Sequence, residues 1–371
     1  MSMRDIRICR SCLMPSSRPR IVFDETGQCN ACNYAEQKHE IDWAGRKREF
    51  LNTVDRFKRH PAYDVVVPFS GGKDSASIAW RMKHELGLRP LCVCYGQMLW
   101  TDEGRRNLHR CADAGLEILY WRVNQDVSRK LARRWLIERF HVKQHYDAAV
   151  NVVPLLTAIN FGIPLVMFAE FGDGHFGGLV RNEDAWRRRD LAEVLEHSVG
   201  DDAINWQTDG ITEADLYPYI YPKAADIARV GVEAHYWSWY FSWNVWDNAD
   251  LMRDKIGFEP VLPRTDGSPE GRDSIDDKVD GIDFLGMRIK FGFGRTVRIC
   301  SRLIQMGRMT RDEGLRLVHQ YDHEFPERYL PEVLDYVSMT RPEFDALTDR
   351  HRNPEIWKRE GDQWKLTFEY R

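Results

Sequence analysis

Asp64-Val65-Val66-Val67-Pro68-Phe69-Ser70-Gly71-Gly72-Lys73-Asp74-Ser75-Ala76-Ser77-Ile78-Ala79-Trp80-Arg81-Met82-Lys83 reads as an apolar strand, a glycine turn and a helix in direct succession. That order builds an anion cradle. The glycines let the backbone approach a phosphate with no Cβ in the way, and the first helical N–H groups point at the anion. Lys73 adds a point charge, Ser70 and Ser75 add hydroxyl donors, and Asp74 is a candidate ligand for Mg²⁺ held against phosphates. Asp74 has a second reading, as a helix cap. The spacing excludes a Walker loop, which needs a glycine where Val67 stands.

Working outward, the chain alternates. Strands are expected over 64–69, 90–95, 117–123 and 163–169, and helices over 73–86, 103–114 and 127–142, with an apolar segment at 148–160. The expected fold is α/β, a doubly wound parallel sheet with ligands at the carboxyl ends of its strands. After Ala169 the rhythm stops. Glu170-Phe171-Gly172-Asp173-Gly174-His175-Phe176-Gly177-Gly178 is a polar, glycine-rich loop, and Glu170, Asp173 and His175 are candidate ligand contacts. Residues 181–233 read as helices, 264–280 as a mobile loop, 282–336 as helices again, and 354–369 as a small hairpin. Upstream, Trp43, Phe50, Leu51, Val54 and Phe57 recur at helical spacing. Tyr236, Trp239 and Trp243, in an aromatic run, either stack a base or form a core seam.

Four of the eight cysteines, Cys9, Cys12, Cys29 and Cys32, form C-x₂-C-x₁₆-C-x₂-C. That is the four-thiolate zinc pattern, closed to water and therefore structural, with a redox dithiol pair or an iron–sulfur cluster as the alternatives. A segment of about 35 residues buries too little core to fold alone, and the metal supplies the missing stability. Cys92 and Cys94 alternate onto one strand face, as buried small hydrophobes do. A hydrophobic content of 43% and a charged content of 30% are those of a globular protein. No run reaches the roughly 18 apolar residues of a membrane span, and the start shows no apolar leader. A cytoplasmic location is expected. The net charge of −4 argues against a nucleic-acid partner.

The string Ser70–Ser75 resembles the PP-loop of the ATP pyrophosphatases, in which the loop grips the leaving pyrophosphate. Over nearly the full length the chain is similar to the bacterial N-acetyl sugar amidotransferases. The similarity is carried by the four-cysteine start around Phe23-Asp24-Glu25, by Ile41-Asp42-Trp43, by the Ser70–Ser75 loop and by Tyr236–Trp243 followed by Ile256-Gly257-Phe258. It continues in Lys290-Phe291-Gly292-Phe293-Gly294-Arg295, Gly307-Arg308-Met309-Thr310-Arg311-Asp312-Glu313 and Asn353-Pro354-Glu355-Ile356-Trp357-Lys358. One departure is visible: Ala169-Glu170-Phe171 stands where family members often carry Gly-Glu-Asn.

The resemblance implies an adenine-nucleotide alpha-hydrolase-like fold and an ATP-dependent amidotransferase that releases AMP and pyrophosphate. Its substrate would be an acetamido group on a nucleotide-activated sugar of the 2,3-diacetamido uronic or pseudaminic type, destined for O-antigen lipopolysaccharide or flagellin glycan. The product would be an acetamidino sugar, with ammonia from a separate glutaminase. The implied cofactors are ATP, Mg²⁺ and structural Zn²⁺. Ser70, Gly71, Gly72, Lys73 and Ser75 would hold phosphates. Lys73, Asp74 and Glu170 would be catalytic, the two carboxylates through Mg²⁺; the other reading of Glu170 is a plain surface carboxylate. Lys290 and Arg295 either meet sugar diphosphate or carboxylate oxygens, or are solvent-facing charges beside a glycine turn. The expected organisation is a knuckle at 1–36, a linker helix at 37–60, the ATP-binding α/β domain at 61–180 and a mostly helical part at 181–371. A tRNA thiolase or lysidine-type synthetase shares the loop, and a scaffold with an inactive nucleotide fold is the reading from another class.

Overall fold

The computed structural model describes residues 5–178, 180, 183–189, 194–195, 200–208 and 210–371. Five strands form one parallel sheet: β1 (Val65–Pro68), β2 (Pro90–Tyr95), β3 (Glu117–Trp121), β4 (Leu165–Phe168) and β5 (Glu233–Tyr236), in the order β3-β2-β1-β4-β5. Val66 sits in register with Leu91 on one side and Val166 on the other. The first strand is therefore central. The chain lays β2 and β3 to one side, then returns to place β4 and β5 on the other. The strand order reverses between β1 and β4, and a crevice opens at their carboxyl ends.

Alternation along the strands divides the core. Val66, Leu91 and Val93 face the helices Gln125–Arg139 and Gln144–Phe161. Val65, Val67, Cys92 and Cys94 face Lys73–His84, Asp102–Asp113 and Trp43–Phe57. Both strand cysteines are fully buried, as their alternation implies. The apolar 148–160 segment lies in the Gln144–Phe161 helix, which is buried nearly all round and so shows no clean amphipathic period. In Trp43–Phe57 the buried residues are Phe50, Thr53, Val54 and Phe57, and the Asp42 carboxylate caps the helix at the Gly45 amide, 2.8 Å away.

Two expectations need correcting. The sheet does not end near residue 169. Its fifth strand comes from Glu233-Ala234-His235-Tyr236, at the end of a region expected to be helical and past the expected boundary at 180. Four residues with one small apolar member carry almost no strand period, and pairing with β4 decides the matter. Of residues 264–280 only Asp280, which opens the next helix, belongs to a helix or strand, as expected of a loop, but the segment is packed inside the protein. Ser268, Ile275, Asp277 and Val279 are buried. The Lys278 amide bonds the Leu99 carbonyl at 2.8 Å, and the Thr101 hydroxyl donates to the Ile275 carbonyl. This segment is a strap across the carboxyl end of the sheet.

The C-terminal part is helical, with Asp280–Phe291, Arg295–Gln305, Arg311–Tyr321, Leu330–Tyr336 and Arg341–Arg350. It ends in the antiparallel hairpin β6 (Trp357–Glu360) and β7 (Gln363–Leu366), turned at Gly361-Asp362 as expected. Among the described residues no helix is long and apolar enough to cross a membrane.

Candidate functional site

Cys9 and Cys12 come from the N-terminal loop, and Cys29 and Cys32 from the start of the Asn30–Gln37 helix. All four are buried, unbridged, and within 4.8 Å of one another at sulfur. Their contacts are 3.9 Å (Cys9–Cys32), 3.8 Å (Cys12–Cys29) and 3.6 Å (Cys29–Cys32). Four sulfurs at about 2.3 Å from a tetrahedral zinc lie about 3.8 Å apart, so the spacing fits the ion. The Cys29 amide points at Cys9 Sγ at 3.2 Å and the Met14 amide at Cys12 Sγ at 3.4 Å, contacts that favour thiolates. Gln305 Nε2 reaches Cys12 and Cys32 at 3.8 and 3.7 Å. The knuckle is also tied to the glycine-rich loop: Arg18 Nε donates to the Gly177 carbonyl at 2.8 Å and Asn30 to that of Gly178 at 2.9 Å.

At the end of β1 the chain turns through Gly71, whose φ of +82° is a conformation that glycine adopts without strain. Gly72 caps the Lys73–His84 helix, and the first intrahelical bond is Ala76 N to Gly72 O, 3.1 Å. The amides of Lys73, Asp74 and Ser75 therefore lie ahead of the helical ladder. The Ser75 hydroxyl pins the turn by accepting from the Ser70 amide at 3.2 Å. Asp74 does not cap the helix. Its carboxylate takes Lys73 Nζ at 3.1 Å and Asn248 Nδ2 at 3.0 Å. Lys73 is buried, with Asp273 4.0 Å beyond. Burial opposes its charge, but Asp74 and Asp273 outweigh burial and hold its pKa above the ordinary lysine value.

Ser70, Asp74 and Ser75 line a cavity of about 540 Å³ in the β1–β4 crevice. Its apolar wall includes Phe69, Tyr95, Tyr146, Pro154 and Phe168, and its polar groups include His141, Asp147, Asn151, Glu170 and Arg189. Glu170 follows β4. Burial first, then the Asp74 charge, raises its pKa. The two carboxylates thus line one cavity with like charges that oppose each other. His141 lies 3.2 Å from Asp147 and 3.4 Å from Asp283; these carboxylates outweigh burial and raise its pKa. Behind the loop, Gln97 Nε2 joins Asp276 (2.5 Å) to the Ser70 carbonyl (3.4 Å). Burial, then Asp280, pushes Asp276 up to about 6.

The remaining candidates lie elsewhere. Lys290 Nζ meets the carbonyls of Arg139 and Phe140 at 3.2 and 3.4 Å, at the end of a helix. Arg295 is buried and donates to the Asp273 and Ser274 carbonyls, so it holds the strap. Neither faces solvent as a free charge beside the glycine turn, and neither lines the cavity. Asp173 lies 3.7 Å from Arg20. His175 is buried against Tyr34 and Trp186, with both ring nitrogens unpartnered among the described residues. Tyr236 and Trp243 are core residues. Trp239 lies under Arg46, 3.0 Å from its ring centre, so the core seam is the reading that matches this packing. Sequence reasoning missed Asn248, His141, Asp147, Asp273 and Asp276. The acidic density of 264–280 hinted at Asp273 and Asp276 alone; nothing local marked the other three.

The fold and site define an α/β protein with a glycine turn opening a helix at its topological switch point and a four-cysteine cluster suited to zinc. Residues 285–371 match the family model described as "LPS biosynthesis protein WbpG-like, C-terminal domain". The chain is similar to LPS-biosynthesis proteins of the WbpG-like kind over that segment, which contributes Gln305 beside the cysteines and Arg295 on the strap. No curated protein matches the chain.

Proposed function

We propose that the chain is an ATP-dependent amidotransferase acting on an acetamido sugar of LPS biosynthesis. The observation that carries this reading is the Ser70–Ser75 turn opening into a cavity at the β1–β4 switch point, with Asp74 and Glu170 across it. The LPS-biosynthesis match of residues 285–371 supports a sugar-modifying role.

ATP would lay its β- and γ-phosphates against the amides of Lys73, Asp74 and Ser75 and the hydroxyls of Ser70 and Ser75. Asp74 and Glu170 would hold Mg²⁺, which neutralises charge on the phosphates. An amide carbon is a poor electrophile with a poor leaving group. Attack of its carbonyl oxygen on the α-phosphorus expels pyrophosphate and gives an O-adenylyl imidate. Ammonia then adds to the imidate carbon, the carbon–oxygen bond breaks, AMP leaves, and the amidine carries the proton. The phenyl and tyrosyl wall of the cavity excludes water that would hydrolyse the imidate. A separate glutaminase subunit would supply the ammonia. The four cysteines would hold a structural zinc that fixes the knuckle. The other cysteines, Cys92, Cys94, Cys111 and Cys300, are buried among apolar side chains, which weighs against a tRNA thiolase that needs reactive thiols.

The test is incubation with ATP, Mg²⁺, ammonium and UDP- or CMP-linked acetamido sugars. AMP and pyrophosphate are expected in equal amounts, dependent on the sugar. ADP with orthophosphate would refute the adenylation scheme.

A further inference from the structure

Three arginines from two distant segments lie within electrostatic reach of one another, and two of them touch neighbouring residues of the glycine-rich loop. Arg18 belongs to the knuckle; Arg298 and Arg302 stand one turn apart on the Arg295–Gln305 helix. Arg302 Cζ stands over the Phe176 ring, 3.5 Å from its centre, so the glycine-rich loop lies against it. Arg18 is anchored to that loop by its bond to the Gly177 carbonyl.

The carboxylates nearby do not balance these charges. Asp273 is shared among Arg298 (3.3 Å), Arg295 (3.8 Å) and Lys73 (4.0 Å). Asp173 is already engaged by Arg20. Among the described residues no carboxylate or carbonyl bonds the Arg302 guanidinium, whose nearest acidic influences are Asp273 and the cavity's Glu170. Burial, then Arg298, pulls Arg302 down to about 9, and burial pulls Arg18 down to about 10. A half-buried, like-charged cluster is relieved by an anion.

We infer that Arg18, Arg298 and Arg302 form an anion subsite that takes a carboxylate or phosphate group of the acceptor substrate, next to the phosphate-gripping turn. Planar guanidiniums suit such groups because each donates two parallel N–H bonds. Phe176 orients Arg302 without consuming its donors. The inference rests on the nucleotide site proposed above, because Glu170, proposed to hold the nucleotide's cation, also acts electrostatically on Arg302.

The subsite is tested by calorimetric titration of the whole protein with three probes: UDP-glucuronic acid, UDP-N-acetylglucosamine and a non-hydrolysable ATP analogue. Arg302→Gln is expected to weaken at least one UDP-sugar about tenfold or more, while Arg302→Lys restores part of the loss. Binding of the ATP analogue should be unchanged. If only UDP-glucuronic acid weakens, the group is a carboxylate; if both sugars weaken alike, it is the diphosphate. UDP-sugar binding that is absent from the wild type, or unmoved in both variants, overturns the inference. Failure of the ATP analogue alone to bind overturns the nucleotide reading and leaves the anion subsite standing.

Discussion

Lys73 Nζ and Asp273 Oδ1 lie 4.0 Å apart, both side chains buried, and they join the start of the first sheet helix to the strap that crosses it. Asp273 is held well below the usual carboxylate range. Burial opposes this, and Arg298, Lys73 and Arg295 together outweigh it. The strap is thus fastened to the candidate phosphate turn by charge.

The two partners should fail differently. Asp273→Asn leaves buried cations without compensation and is expected to cost about 3–5 kcal/mol of stability. Lys73→Ala leaves Asp273 with its arginines and Asp74 with Asn248. It should fold and keep its metal, yet lose about 10²- to 10³-fold in AMP formation. Thermal melts paired with an AMP assay separate the two. A Lys73→Ala protein with wild-type turnover would remove the turn from the chemistry.

Metal analysis should return about one zinc per chain. The Cys12→Ser protein should lose it and melt lower, because Cys12 and Leu13 share a core with Phe293, Val297 and Cys300 of the C-terminal part. Gln305 touches two sulfurs from outside the ligand set. Gln305→Ala should keep the fold and weaken zinc about 10- to 100-fold in chelator competition. Iron with a visible absorption band would contradict the zinc assignment.

How far the sequence reaches is visible residue by residue. Val65–Val67 with Gly71-Gly72 announced a strand and its turn because the signal is local and dense, while the strand's central place came only from its pairing. The cysteine spacing announced the four-cysteine cluster for the same reason. Lys290 and His175 carry suitable chemistry, but partners far along the chain decide their roles: the Arg139 carbonyl for Lys290, Tyr34 and Trp186 for His175. Asp273 and Arg302 acquire meaning only when the strap and the Arg295–Gln305 helix meet the loops after β1 and β4. No spacing rule encodes that meeting.

His145 is fully buried, and its Nε2 lies 2.9 Å from the Ser128 hydroxyl. Burial, then the charges of His141 and Lys143, lowers its pKa to about 3. Between pH 3 and its ordinary value near 6.5 the unfolded chain binds a proton that the folded chain does not. Its contribution to stability is therefore lost as pH falls below about 6.5, by up to about 1.4 kcal/mol per pH unit. Asp276 and Asp277, raised to about 6 and 7 chiefly by burial, act with the opposite sign in the same range. The wild type alone is thus ambiguous. His145→Gln isolates the effect: relative to wild type the variant should gain stability steadily from pH 6.5 to 5 in denaturant titrations. A constant difference across that window would show that His145 is not buried neutral.

Gly104 offers the sharpest test of the strap. It lies in the first turn of the Asp102–Asp113 helix, where alanine would ordinarily be favoured. A Cβ there would sit 2.7 Å from the Asp276 Cα, a backbone atom with no rotamer to yield. Gly104→Ala must push the strap outward, at a cost of about 1–3 kcal/mol. The displacement moves Asp276, and with it the Gln97 bridge to the Ser70 carbonyl, so AMP formation should fall along with the melting temperature. Gly172→Ala is the control: a Cβ at Gly172 meets nothing within 4 Å and needs no positive φ. It should melt within a degree or two of wild type. If Gly104→Ala melts and turns over like Gly172→Ala, the strap does not press on the helix as described.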